Sequence, residues 1–195
     1  MKRKCLNVGS GTDYKPSTET EDWVNIDKNP DVHPDHVMRI EDLPGVFAEN
    51  TFDEVQLIHV WEHCEDLIEA MERIYYVMKP GAKLVVVTPY FTSESAFSDP
   101  THKHFVTPVT FAFISYPCYE ENARTGSRMS QLFPDCDFDV KKRVVVPLPG
   151  EEGFRDQDFA AKHYFDVLAE LQVELECVKP IRKFDIRKYH KRTSG

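Results

Sequence analysis

Leu6-Asn7-Val8-Gly9-Ser10-Gly11, followed by Val24-Asn25-Ile26-Asp27, is the stretch on which the fold is decided. A short apolar strand runs into a turn with two glycines, and a second short strand ends on an acid. Gly9 and Gly11 permit positive φ and leave bare backbone where a Cβ would keep a ligand away. An acid at the tip of the next strand accepts hydrogen bonds from a ribose diol. The pair describes a nucleoside crevice at the carboxyl edge of a parallel sheet. A dinucleotide fingerprint needs a third glycine, and Tyr14 stands in its place. No G-K-[ST] follows, so a Walker loop is also excluded. A nucleoside without a pyrophosphate fits better.

Outward from this stretch, strand and helix signals alternate as in βαβ units. Strands are expected over 4–8, 23–27, 35–40, 54–59 and 83–88, with two later ones over 139–146 and 172–178. The best helix is 64–78, where Leu67, Met71, Ile74 and Val77 share one face. Lys79-Pro80-Gly81 is expected to end it. A second helical spacing runs through Phe159, His163, Val167 and Leu171 within 156–171. Between Gly11 and Asp27 there is little room, and Pro16 interrupts it, so the first crossover helix is short or missing. From 89 to 134 the alternation gives way to mixed aromatic and polar residues, as in a cap over the acceptor side.

The bulk properties bound the function. The 195 residues suit one domain with an ample core. No apolar run approaches the ~20 residues of a membrane span. The five cysteines are scattered without a C-x-x-C pair, which argues against a disulfide framework or zinc knuckle and for a cytoplasmic setting. A net charge of −9 argues against nucleic acid as the main partner. The charge is uneven, however. From Lys179 onward seven basic residues face one acid, so that tail carries +6 and the remainder −15. The basic stretch 183–195 is expected to be a solvated tail.

With these motifs in order, the chain resembles the class I S-adenosylmethionine-dependent methyltransferases over about 4–114. The resemblance is carried by LNVGSG (6–11), VNID (24–27), FDEVQLIHVWEH (52–63), a helix, and MKPGAKLVVVTPY (78–90). It implies an α/β, Rossmann-like fold with a mostly parallel, seven-stranded sheet whose last strand is inserted antiparallel. It also implies S-adenosylmethionine as cofactor and S-adenosylhomocysteine as product. Within LNVGSG, Asn7, Gly9, Ser10 and Gly11 are the expected contacts to the methionine part, and Asp27 is expected to hold the ribose. The segment 39–43, with Arg39-Ile40 where relatives often place an acid and Asp42 two residues later, is expected to flank adenine, with Ile40 and Asp42 as the contacts. His59, Val60 and His63 would line the floor near the sulfonium, with Glu62 behind. The order H-x-x-E-H also matches an inverted zinc-protease pattern, but the methyltransferase alignment already accounts for those residues.

Methyl transfer to a hydroxyl needs alignment of the acceptor and removal of its proton. Ser98-Asp99-Pro100-Thr101-His102-Lys103-His104 follows the fifth strand, where acceptor groups of this fold lie. His102 or His104 is the expected base, with Asp99 orienting it or the acceptor. A divalent ion on Asp99, His102 and His104 is a variant, disfavoured because hard ions prefer carboxylates; no metal is expected. The chain resembles most the compact members that decorate glycans and polysaccharides. The expected acceptor is therefore a sugar hydroxyl, such as that of a terminal deoxyhexose. The competing readings are RNA or protein methylation through the basic tail, and a cofactor-binding partner subunit without activity.

Overall fold

A computed structural model of the chain describes residues 2–124, 134–151, 159 and 163–183. Seven strands form one sheet: β1 Arg3–Val8, β2 Glu21–Asp27, β3 His36–Val37, β4 Phe52–Ile58, β5 Met78–Pro89, β6 Phe138–Pro147 and β7 Leu168–Cys177. They lie in the order β3-β2-β1-β4-β5-β7-β6. The first five are parallel, and β7 enters antiparallel between β5 and β6. Strand order reverses between β1 and β4, so their carboxyl ends open the crevice where open α/β sheets bind ligands. This is the expected seven-stranded fold.

One face of the central strands is well covered: Leu6, Val55, Leu57, Leu84 and Val86, which the register places on it, are fully buried, whereas Gln56, Lys83 and Val85 on the other face are only partly buried. Among the helices, α1 (Leu43–Val46) is a single turn and α2 (Leu67–Val77) packs on the sheet. Asp66 caps α2 by accepting from the N–H groups of Ile68 at 2.8 Å and Glu69 at 3.1 Å. This cap starts the helix three residues later than Cys64, because Trp61–His63 forms a separate 3-10 turn. α2 buries Ala70, Met71, Ile74, Tyr75 and Val77. It stops at Met78, where β5 already begins. The expected Lys79-Pro80-Gly81 stop is instead a bulge within that strand, with Gly81 at φ 75 and a register shift opposite Phe52 and Glu54.

Two expectations need correction. The third strand is only His36–Val37, because a 3-10 turn at Ile40–Asp42 takes the chain away from the sheet. The helix expected to reach Leu171 ends earlier: β7 begins at Leu168, and Leu171 pairs with Thr88 and Val145. The period-2 burial of Leu171, Val173, Leu175 and Cys177 prevails there over the helical spacing of Val167 and Leu171. Phe159 and His163 are helical, with rings stacked at 4.1 Å; the rest of 152–162 lies outside the described residues.

No helix joins β1 to β2. Two buried asparagines hold the loop instead: Asn7 Nδ2 donates to the Asp13 carbonyl at 2.8 Å, and Asn25 Nδ2 to the Lys15 carbonyl at 2.9 Å. They satisfy loop backbone that a helix would have satisfied internally. Beyond β5 come α3 (Glu94–Ser98), a 3-10 turn at Thr110–Ile114 and α4 (Tyr116–Arg124). Residues 125–133 of the expected cap and the tail from 184 onward lie outside the described residues. Among the described residues, no helix is long and apolar enough to cross a membrane.

Candidate active site

A crevice of about 390 Å³ opens at the carboxyl edge of β1, β2 and β4. Of the expected contacts, Gly9, Asp27, Ile40, His59, Val60 and His63 line it. Gly9 takes φ 62, and a Cβ there would stand 2.5 Å from Val60 Cγ2. Glycine is thus required by both conformation and space, and the space is shared with Val60 as well as with the crevice. Gly11 takes φ 48 without such a neighbour, and its N–H donates to Asp27 Oδ2 at 2.8 Å. Asp27 Oδ1 accepts from the Asn29 N–H at 2.8 Å. An ionised carboxylate has about four lone pairs, so each oxygen of Asp27 keeps capacity for a ligand hydroxyl.

The other expected contacts stand outside the lining. Asn7 is committed to the loop. Asp42 Oδ2 accepts from the Arg39 N–H at 3.0 Å and caps the 3-10 turn beneath the pocket. Ser10 lies in the glycine turn, buried, with its Oγ lacking a hydrogen-bond partner. Arg39, from the segment expected to flank adenine, and Thr101, from the segment expected on the acceptor side, also line the crevice, as does Met38, which was not expected from the sequence.

At the far end of the crevice the chain folds back on itself. His59 has φ 54, a strained conformation for a side chain of its size, and its N–H donates to the Val87 carbonyl at 2.9 Å. Its Nε2 lies 3.0 Å from Glu170 Oε1, and its Nδ1 lies 3.5 Å from Glu62 Oε1. The Glu62 carboxylate, with Glu170 opposite, raises the imidazole pKa above its usual range against the cost of burial. Nothing local in the sequence pairs His59 with Glu170, which sits on β7. Cys64 also lines the crevice, but burial pushes its thiol up to about 12, so it stays protonated at neutral pH.

The 99–104 segment docks on this corner through backbone bonds. The N–H groups of Lys103 and His104 both donate to the Glu62 carbonyl, at 2.8 and 3.2 Å. Lys103 pairs with Glu65. His102 and His63 meet edge to face with ring centroids 4.6 Å apart. His102 is thereby brought to Glu62 and His63. His104 is turned elsewhere, with Nε2 3.3 Å from the Glu65 carbonyl. Asp99 Oδ2 lies 3.9 Å from His102 Nε2. Hydrogen bonds from the Thr101 hydroxyl and N–H hold the Asp99 carboxyl below its ordinary range.

Residues 6–86 match the family described as a methyltransferase domain. The fold matches solved S-adenosylmethionine-dependent methyltransferases. One, from Archaeoglobus fulgidus, is 17% identical with a TM-score of 0.58, covering 90% of this chain and 86% of that one. Another, from Methanosarcina mazei, is 13% identical with a TM-score of 0.57, covering 91% and 93%. Residues 6–86 carry a methyltransferase domain, and the fold around them is that of the S-adenosylmethionine-dependent methyltransferases. A putative sarcosine dimethylglycine methyltransferase from Galdieria sulphuraria shares the fold of this methyltransferase at 11% identity and a TM-score of 0.53, over 92% and 80%. No curated protein matches the sequence.

The residues of the crevice suit the cofactor of the methyltransferase. The bare backbone at Gly9, the spare lone pairs of Asp27 and the apolar walls at Ile40 and Val60 complement a nucleoside. The unpartnered Ser10 Oγ is a spare polar group in the same turn.

Proposed function

We propose that this methyltransferase transfers the methyl group to a hydroxyl of a sugar, such as a deoxyhexose on a glycan. One observation carries the acceptor class. The helix α3 supplies both the Ala96 carbonyl, 3.0 Å from His102 Nδ1, and Phe97, which heads a group of exposed aromatic faces. Phe97 stacks on Phe105 at 4.3 Å and meets Phe165 at 5.8 Å. Flat, exposed aromatic faces stack on the C–H face of a sugar ring. They stand beside the imidazoles that would meet its hydroxyl. An acidic body, −9 overall, suits a neutral hydroxylated ligand better than a polyanion.

S-adenosylmethionine supplies an already activated methyl group on sulfur, so the protein's work is alignment and proton removal. Asp27 and the Gly9 turn would hold the nucleoside end. The acceptor hydroxyl would lie where the crevice meets His63, Thr101 and His102, with its proton drawn toward the lone pairs gathered there.

The test is transfer of labelled methyl to a panel of deoxyhexosides, glycans, RNA and proteins, beside Asp27→Ala. Label on a sugar, lost in that variant, supports the reading. Label on RNA or protein alone overturns it and turns attention to the basic tail. Labelling of the panel only after a second protein is added would point to a subunit that depends on a partner.

A further inference from the structure

We infer that Glu62, His63 and His102 form a binding site for one divalent transition-metal ion at the acceptor end of the crevice. The three side chains each bring one ligand atom within 4.8 Å of the other two. They come from the turn after β4 and the loop after α3, and only the fold unites them.

The hydrogen bonds fix the tautomers. The Thr101 hydroxyl donates to Asp99 Oδ1 at 2.7 Å, so its oxygen can only accept from His63 Nδ1, 3.0 Å away. The Thr101 carbonyl, 3.3 Å from the same nitrogen, is also an acceptor. His63 Nδ1 therefore carries a proton. His102 Nδ1 faces the Ala96 carbonyl at 3.0 Å and carries one for the same reason. In the neutral rings the nitrogen left with a lone pair is Nε2. Glu62 is 1% exposed, and neither of its carboxylate oxygens has a hydrogen-bond partner.

Two imidazoles and a buried carboxylate thus converge, and the donor nearest the carboxylate is His59 Nδ1, 3.5 Å from Glu62 Oε1 and longer than a good hydrogen bond. His59, shared with Glu170, covers one oxygen at that distance only, and a cation between Glu62 and the two imidazoles would offset the cost of burying the carboxylate. Imidazoles that give their second N–H to a carbonyl are in the usual arrangement of metal ligands. Two imidazoles and one carboxylate favour zinc, manganese or iron over magnesium or calcium, which take mainly oxygen. Three protein ligands leave a position open. His63 lies in the crevice wall, so that position is reached from the ligand side. The site differs from the Asp99, His102 and His104 set suggested by sequence spacing, since His104 faces the Glu65 carbonyl.

The use of the ion rests on the proposed function; its binding does not. A sugar hydroxyl on the open position would be acidified by the metal. Its proton passes to solvent past the exposed Asp99, its oxygen bonds the methyl carbon, and the carbon–sulfur bond breaks to leave a neutral thioether. His102 is then a ligand and not the base.

The experiment is titration of the untagged, chelator-treated protein with Co²⁺, read by visible absorption, and with Zn²⁺, read by calorimetry. One equivalent should bind, with the visible bands of a nitrogen- and oxygen-coordinated Co²⁺. His63→Ala and His102→Ala should each weaken binding about tenfold or more, and Thr101→Val, which leaves all three ligands in place, several-fold. His33→Ala, a distant exposed histidine, should change nothing. Circular dichroism confirms that each variant is folded. No absorption and no heat up to ~1 mM metal with the folded wild type would overturn the site, as would undiminished binding in the folded His63→Ala/His102→Ala double variant. Failure there would leave label transfer to a sugar intact and insensitive to chelator. Metal binding without sugar labelling would spare this site and overturn the acceptor reading.

Discussion

Gly9 and Val60 are in contact across the first and fourth strand ends, and a Cβ on Gly9 would stand 2.5 Å from Val60 Cγ2. Gly9→Ala should therefore destabilise the protein by about 1–3 kcal/mol, through positive φ and the clash together. Val60→Ala in the same chain should restore part of the loss but not the share due to φ. Urea midpoints of the two variants check this, and S-adenosylhomocysteine affinity should fall with Gly9→Ala.

Asp27 is the crevice carboxylate held at the tip of β2 by the Gly11 and Asn29 N–H groups. Asp27→Ala should weaken S-adenosylhomocysteine binding about 10- to 100-fold, the worth of charged hydrogen bonds at about 1.5–3 kcal/mol. Calorimetry measures it. An unchanged affinity would remove Asp27 from the ribose role.

Far from the crevice, Asp137 is fully buried and held by Arg182, with Nε at 2.6 Å and Nη2 at 2.7 Å. Arg182→Met should cost about 3 kcal/mol, because it strands a buried carboxylate on backbone N–H groups alone. Denaturation should show the loss, while cofactor affinity of the folded variant stays as in the wild type.

Asp53 ties three strands by accepting from Lys79 Nζ at 2.7 Å and the Lys4 N–H at 2.9 Å. Burial would raise its pKa, but these partners outweigh it and hold the carboxyl below its ordinary range. A depressed folded value gives stability that is present above the unfolded pKa of ~4 and is lost as pH falls through the folded value. Wild type should exceed Asp53→Asn in stability at neutral pH, and the gap should close in acid. Urea midpoints across pH 7 to 3 decide it.

The thiols offer a simple check of packing. Cys5, Cys64, Cys136 and Cys177 are buried, and burial raises each pKa, to about 11 for Cys5 and about 12 for Cys64 and Cys177. A thiol reagent at neutral pH should label only Cys118 quickly in the native protein, and all five after unfolding. Rapid labelling of a second cysteine would contradict the core as described.

Much of the fold was legible because its signals are local. The β1 turn, the short strand ending on Asp27 and the apolar face of α2 each depend on residues a few positions apart. The misreadings are equally local: Val167 and Leu171 fit a helix as well as a strand until β5 and β6 pair with Leu171. Likewise, Asp66 moved the start of α2 because a cap outranks apolar spacing.

By itself the sequence determined the parallel sheet, the glycine turn and the acid that faces it, since strand periodicity and positive φ are properties of neighbouring residues. Only the tertiary structure decided which histidine meets which acid. Glu170 reaches His59 because β7 enters antiparallel beside β5, and His102 reaches Glu62 because the next two backbone N–H groups bind the Glu62 carbonyl. Such partners are set by how strands and loops close in space, and no spacing along the chain encodes that closure.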